Sequence, residues 1–270
     1  MARRIDTGAP PHHPSLLVAD GSPTNRLVLR SILENAGYRI ELADSGPAVL
    51  AAVRGRAFDL VVLDADLPKL DGLSVIRRIR ALPGRERRVP VLAISTNPET
   101  TSRTACLAAG ADDALLKPFR CSDLKAAAAL LLDPASGFDT GTGAAILMPA
   151  PPGDAIEPVL DAEILARLGG DLGPGAFADV LVTFTQDMGV RLHRIAAAAA
   201  SANLRTLVFE SHAVSSCCRT VGALRLAQLC GTLETAALSG DRDQALNLAF
   251  AIGSVGADTL SILSGHGASA

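Results

Sequence analysis

The chain has 270 residues, 49% of them hydrophobic and 20% charged, which is enough for two domains with ordinary cores. Its net charge of −3 hides a split: residues 14–132 carry 16 Lys and Arg against 13 Asp and Glu, whereas residues 133–270 carry 7 Arg against 14 acids and no Lys. Neither half has the strongly basic face of a nucleic-acid binder, and the apolar runs, such as "AAAALLL" at 126–132, fall well short of the roughly 20 residues a membrane span needs.

In chain order, "SLLVA" (15–19) is a strand, followed by a helix near 24–36 that stops at Gly37. "YRIELA" (38–43) precedes a helix near 46–55, with Pro47 tolerated in its first turn. "FDLVVLD" (58–64) is a continuous apolar strand, the pattern of a strand covered on both faces. A helix near 73–81, the strand "VPVLAIS" (89–95), a helix near 98–109, the strand "DALLK" (113–117) and a helix near 120–132 complete the series. Five strands alternating with five helices predict an α/β doubly wound parallel sheet, in which ligands bind beyond the carboxyl ends of the strands. The basic run "RRIRALPGRERR" (77–88) reads as a solvated helix end and loop.

Residues 133–157 are rich in Pro, Gly and small side chains and read as a linker, and residues 1–14 as a flexible tail. From 158 to 266 every signal is helical, near 161–168, 174–200, 203–219, 222–238 and 242–264. Short Gly-containing breaks predict an all-α four-helix bundle with a short leading helix.

The strand ends of the first half carry the chemistry. Asp20 follows the first strand, Asp64 ends the third, Ser95 the fourth and Lys117-Pro118 the fifth. Acids, a hydroxyl and a lysine around one carboxylate form a phosphoryl-transfer constellation of nucleophile, metal ligand and cationic clamp. The segments "LLVADGSPTNRLVLRSIL", "DLVVLDADLPKLDG", "VPVLAIST" and "AGADDALLKPF" resemble, in order, the signatures of a response-regulator receiver domain across 15–132. That resemblance implies a flavodoxin-like fold, Asp64 as phosphoacceptor, Ser95 and Lys117 on the phosphoryl oxygens, and Mg²⁺ held by Asp20, Asp64 and the backbone carbonyl of Asp66. Two positions depart from the family pattern. Gly21 stands where a second acid usually binds the metal, which predicts a weakened Mg²⁺ site, and Ala114 stands where many receivers carry an aromatic ring.

In the second half, "LRTLVFESHAVSSCCRTVGALRLAQLCGTLE" (204–234) places Leu204, Leu207, Val208, Ser211, Val214 and Cys218 on one helical stripe. His212 falls about 110° from the centre of that stripe, at its solvent-facing margin, with Arg205 and Arg219 seven residues to either side and about 20° from its angular position. An imidazole that titrates near neutrality is a competent phosphoryl nucleophile. The stretch resembles a histidine phosphotransfer (HPt) domain over roughly 158–264, which implies His212 as phosphoacceptor. The family's Lys and Gly three and four residues later are here Ser215 and Ser216, so Arg205 and Arg219 are candidates to supply the missing charge. His12, His13, His193 and His266 lack such a context, and Cys106, Cys121, Cys217, Cys218 and Cys230 have no metal-ligand spacing and read as reduced thiols.

Taken together, the resemblances imply a two-component phosphorelay protein that accepts and passes phosphoryl groups through Asp64 and His212. Its partners would be a sensor or hybrid histidine kinase and another response regulator, with no nucleic acid and no membrane insertion. The N-terminus lacks the apolar core of a secretory signal, which predicts a cytoplasmic protein, bacterial by its resemblance. No Gly-rich ATP-binding segment occurs, so a phosphotransfer intermediate is expected rather than an enzyme. The alternative is a degenerate receiver and HPt module that acts by binding; Gly21, Ala114, Ser215 and Ser216 favour it. A third reading, "LDADLP" as a haloacid-dehalogenase-like motif, fails because that motif belongs on a first strand and here lies on the third.

Overall fold

A computed structural model describes residues 13–96, 102–133 and 157–267. Most of the expected tail and linker, including His12, lies outside them. Five strands, β1 (Ser15–Ala19), β2 (Arg39–Ala43), β3 (Leu60–Asp64), β4 (Val91–Ser95) and β5 (Asp113–Leu116), form one parallel sheet in the order β2-β1-β3-β4-β5. The central strands are buried along their whole length, as their unbroken apolar sequences require. Helices α1 (Pro23–Glu34), α2 (Gly46–Gly55), α3 (Gly72–Arg80), α4 (Arg103–Ala109) and α5 (Cys121–Leu132) cover the two faces. Each start is written locally: the Ser22 and Asp71 side chains accept from the amides of Asn25 and Ser74, and Pro23 occupies the first turn of α1. The fourth helix, expected from 98, begins at Arg103 among the described residues because the Ser102 hydroxyl accepts from the Ala105 amide and caps it there.

The basic run is not merely solvated. Arg80 donates to the carbonyls of Gly110, Arg87 and Val89 and pairs with Asp112 at 2.7 Å, tying the end of α3 to the start of β4. The other arginines of that stretch are the ones that meet water.

The second half folds as α6 (Ala162–Leu172), α7 (Pro174–Ala200), α8 (Leu204–Val221), α9 (Leu224–Ser239) and α10 (Arg242–Gly267), with α7 to α10 forming the bundle. Gly222 and Gly240 end α8 and α9 at φ of +80°, a left-handed conformation glycine adopts without penalty. The bundle does not stand apart from the sheet domain. Helix α1 lies between them, and one apolar cluster runs from Leu16, Val18 and Ile32 through Phe184, Met188 and Leu207.

Between α7 and α8, Arg191 is buried and pairs with Asp187 at 2.8 Å and Glu210 at 3.0 Å, while Arg194 reaches Glu210 at 3.3 Å. A charge removed from water this far is tolerable only with full pairing. Replacing Glu210 with Gln leaves Arg191 on Asp187 alone and is expected to lower stability by about 2 kcal/mol, read by urea unfolding.

Helix α10 corrects one expectation. Over Arg242–Gly265 it is long and apolar enough to cross a membrane by length and composition, with a mean hydropathy of 1.5 that its Ala and Gly content spread over no single apolar run. Its buried positions, Ala245, Ala249, Ile252, Gly256, Thr259 and Leu263, fall on one stripe against the bundle, the pattern of a packed amphipathic helix.

Candidate functional site

The parallel sheet delivers Asp20, Asp64, Ser95 and Lys117 to one edge, because every strand ends in the same direction. Asp64 pairs in register with Ile94, so Ser95 lies one residue further along β4 and is fully buried. Lys117 Nζ reaches Asp64 Oδ2 at 2.6 Å and Asp20 Oδ2 at 3.1 Å. The Asp66 amide donates to Asp64 Oδ1 at 3.0 Å, and the Thr96 hydroxyl to Asp66 Oδ2 at 2.9 Å. The turn "LPKLDG" follows from packing: a Cβ on Gly72 would run into the carbonyl oxygen of Asp64 and the Cα of Ala65, so only glycine lets α3 begin against the end of β3.

Electrostatics separate the two acids. Burial, opposed by Lys117 and reinforced by the neighbouring Asp64 charge, pushes Asp20 up to about 7. Burial acts on Asp64 as well, but the Lys117 ammonium and the hydrogen bonds around it hold this carboxyl below its ordinary range. Lys117 is in turn held cationic by both acids despite its burial. Two carboxylates beside one ammonium make an acidic pocket whose oxygens are hard donors. This set fits Mg²⁺. Among the described residues no three His, Cys, Asp or Glu side chains gather into a metal cage, so such an ion would retain several waters. At Gly21, a Cβ would come within 2.9 Å of Pro68 Cδ, so the ring occupies the space a larger residue needs. Ala114 is a small buried residue of β5.

His212 is brought to this same edge. Its Nε2 is 3.6 Å from Asp66 Oδ2, and its Nδ1 bonds Glu234 Oε1 on α9 at 3.0 Å. The margin of α8 expected to face solvent therefore faces the loop after β3, and the charges touching the imidazole are carboxylates. Arg205 and Arg219 are exposed, and neither is among the groups that shift His212. Ser215 is buried, donating to the Ala227 carbonyl at 3.0 Å, because α9 packs on that side of α8. Ser216 remains near His212 and accepts from Asn25 Nδ2 at 3.2 Å. Asn25, Thr96 and Glu234 lie within the quoted segments but carry no signal there of a place in the site, and the 22-residue separation of Glu234 from His212 crosses a helix turn that no local spacing rule spans.

Asp66 first and Glu234 second raise His212 to about 10, against the opposing effect of burial. Since the folded value lies above the ordinary 6.5, the charged imidazole contributes stability fully below that pH and loses it as pH rises through about 10. Thermal melts in EDTA are expected to show a fall in stability over that interval, flattened in His212→Gln.

An acidic pocket with one lysine clamp thus lies beside an imidazole at one edge of the sheet. Family comparison agrees: the model described as "Response regulator receiver domain" matches residues 16–129 and that described as "Hpt domain" matches 179–259. The chain belongs to the two-component signalling families, a response regulator receiver domain followed by an Hpt domain, and this pairing supports a phosphorelay role. It is 29% identical over 245 residues to the sensor protein GacS of Pseudomonas syringae pv. syringae, covering 87% of this chain and 26% of that protein. It is 31% identical over 225 residues to the sensor histidine kinase AruS of Pseudomonas aeruginosa, covering 83% of this chain and 21% of the relative. The chain thus spans about a quarter of the length of these relatives. Among solved structures, the receiver domain of the sensor histidine kinase PA1611 of Pseudomonas aeruginosa, with a magnesium ion in its active-site cleft, is similar at 34% identity and a TM-score of 0.40, covering 42% of this chain and 93% of that one.

Proposed function

We propose that this protein is a phosphorelay intermediate in which Asp64 of the receiver and His212 of the bundle each accept a phosphoryl group and pass it on. The observation that carries this reading is the convergence of Lys117, Asp64 and, through Asp66, His212 on one edge of the sheet. Asp64 stays ionised as a nucleophile because Lys117 holds its carboxyl down, and the same ammonium is placed to receive the charge of an incoming phosphoryl oxygen. Asp20, Asp64 and the Asp66 carbonyl would hold Mg²⁺, which supplies further positive charge to those oxygens. With Gly21 lacking a carboxylate, that ion has one ligand fewer and binds more weakly. On the bundle, Glu234 accepts from Nδ1–H, and the Nε2 proton, held toward Asp66, must leave before Nε2 can attack phosphorus. The partners are a sensor or hybrid histidine kinase and a further response regulator.

Binding without transfer is a second reading, favoured by Gly21 and by the carboxylates that replace a cation beside His212. Radiolabelled acetyl phosphate and phosphoramidate, each with Mg²⁺, separate the two. Acid-stable, alkali-labile label lost in Asp64→Ala and alkali-stable, acid-labile label lost in His212→Gln support transfer. Label on neither residue supports binding alone.

A further inference from the structure

We propose that Asn25 is a positioning residue that couples the cation site of the receiver to the seating of the helical bundle, each strengthening the other. This rests on the reading of Asp20 as a metal ligand and adds how occupancy of that site is regulated.

Two hydrogen-bonded chains run from Asp20 to α8, and both pass through the start of α1. In one, Ser22 N–H donates to Asp20 Oδ1 at 2.8 Å, and the Ser22 hydroxyl accepts from the Cys217 thiol at 2.8 Å. In the other, Asn25 Nδ2 approaches the same Asp20 oxygen at 3.4 Å and the Ser216 hydroxyl at 3.2 Å. Asn25 Oδ1 in turn accepts from the Thr220 hydroxyl at 3.0 Å. Ser22 and Asn25 meet because they are the cap and the third residue of one helix, the Ser22 hydroxyl accepting from the Asn25 amide at 3.3 Å. Both are buried, so water does not replace a partner that either one loses.

The two chains differ in what can yield. The Ser22 link uses a backbone N–H, whose direction is set by the helix start. The Asn25 link uses a side-chain amide, whose two N–H groups and carbonyl are engaged from both sides at once. Its contact to Asp20 lies beyond the usual range of an N–H donor, whereas its carbonyl holds Thr220 at 3.0 Å. The amide is therefore drawn toward α8 and away from the carboxylate. Positions 216 and 220 are one turn apart on α8, so together they grip both polar atoms of the amide.

The sign of the coupling follows from competition. Asp20 and α8 compete for one amide, and that amide competes with a cation for the electron density of Asp20. Ser216 and Thr220, by retaining the amide, leave Asp20 a better donor to the cation. Asp20, once engaged by a cation, leaves the amide to α8. By linkage the two effects are equal in size, and one shared hydrogen bond to a charged group places the factor at about tenfold.

Calorimetric titration of the full chain with Mg²⁺ tests this, with hydrogen exchange of the α8 amides as a second readout. Removing both α8 hydroxyls, in Ser216→Ala/Thr220→Val, frees the amide for Asp20 and is expected to weaken Mg²⁺ binding about tenfold. Thr220→Ser, which keeps its hydroxyl, is expected to retain wild-type affinity. In an Asn25→Ala chain the competitor is gone, and the same double change is expected to have no further effect on affinity. Mg²⁺ is likewise expected to slow α8 exchange in the wild type but not in Asn25→Ala. An equal loss of affinity in both backgrounds would show that the hydroxyls act by holding the bundle and not through the amide, which overturns the proposal. A double variant with wild-type affinity, or a wild type that takes up no Mg²⁺ at millimolar concentration, overturns it too. Labelling of the same chains by radiolabelled acetyl phosphate and phosphoramidate separates this from the proposed function. Coupling without label on Asp64 or His212 leaves the role of Asn25 standing and the function overturned; label without coupling does the reverse.

Discussion

Replacing Lys117 with Met is expected to remove about 3–5 kcal/mol of stability above neutral pH. Its ammonium serves two buried carboxylates at 2.6 and 3.1 Å, and without it Asp64 and Asp20 face each other uncompensated in a low-dielectric pocket. The sign with pH follows. In the wild type Lys117 holds the Asp64 carboxyl below its ordinary range, so stability from that pair is present above the unfolded value and is lost in acid. In the variant this carboxyl moves upward, so the deficit is greatest in alkali and shrinks as the pH falls and both acids take up protons. Urea unfolding of both proteins at about pH 8 and pH 5 measures it. An equal deficit at the two pH values would show that Lys117 acts by packing alone.

The second large effect is steric. Gly72→Ala places a methyl group against the carbonyl oxygen of Asp64 and the Cα of Ala65, neither of which can rotate away. The cost is expected to be about 3 kcal/mol, and labelling of Asp64 by acetyl phosphate to fall about a hundredfold, since a shift of about 1 Å at a reacting group has that consequence. A normally folded Gly72→Ala protein with wild-type labelling would show that the loop between β3 and α3 yields freely.

The fold was readable because its strands are short, apolar and bounded by strong punctuation, and the parallel arrangement then brings Asp20, Asp64, Ser95 and Lys117 to one edge without further information. The setting of His212 was only half readable. An angular estimate on one helix knows the core of that helix's own bundle, and it correctly put His212 at the margin of the stripe. It carried no knowledge that α1 and the loop after β3 cover that margin, so it expected arginines where Asp66 and Glu234 sit. Asn25 was hidden for the same reason: on α1 it reads as an ordinary polar residue near a helix start, and its three side-chain partners come from positions 20, 216 and 220. Arg80 was lost within a run of similar charges, although its four contacts are fixed by where β4 and β5 begin.

The proximity of position 21 to the Pro68 ring bears on any change meant to strengthen the metal site. Introducing an acid at 21 gains a metal ligand but first collides with an inflexible neighbour, and trimming the ring by itself opens a void with no ligand to show for it. The two changes are therefore non-additive, each unfavourable alone and useful only in company. An acid at position 21 is therefore expected to displace the Pro68 ring before it can reach a metal.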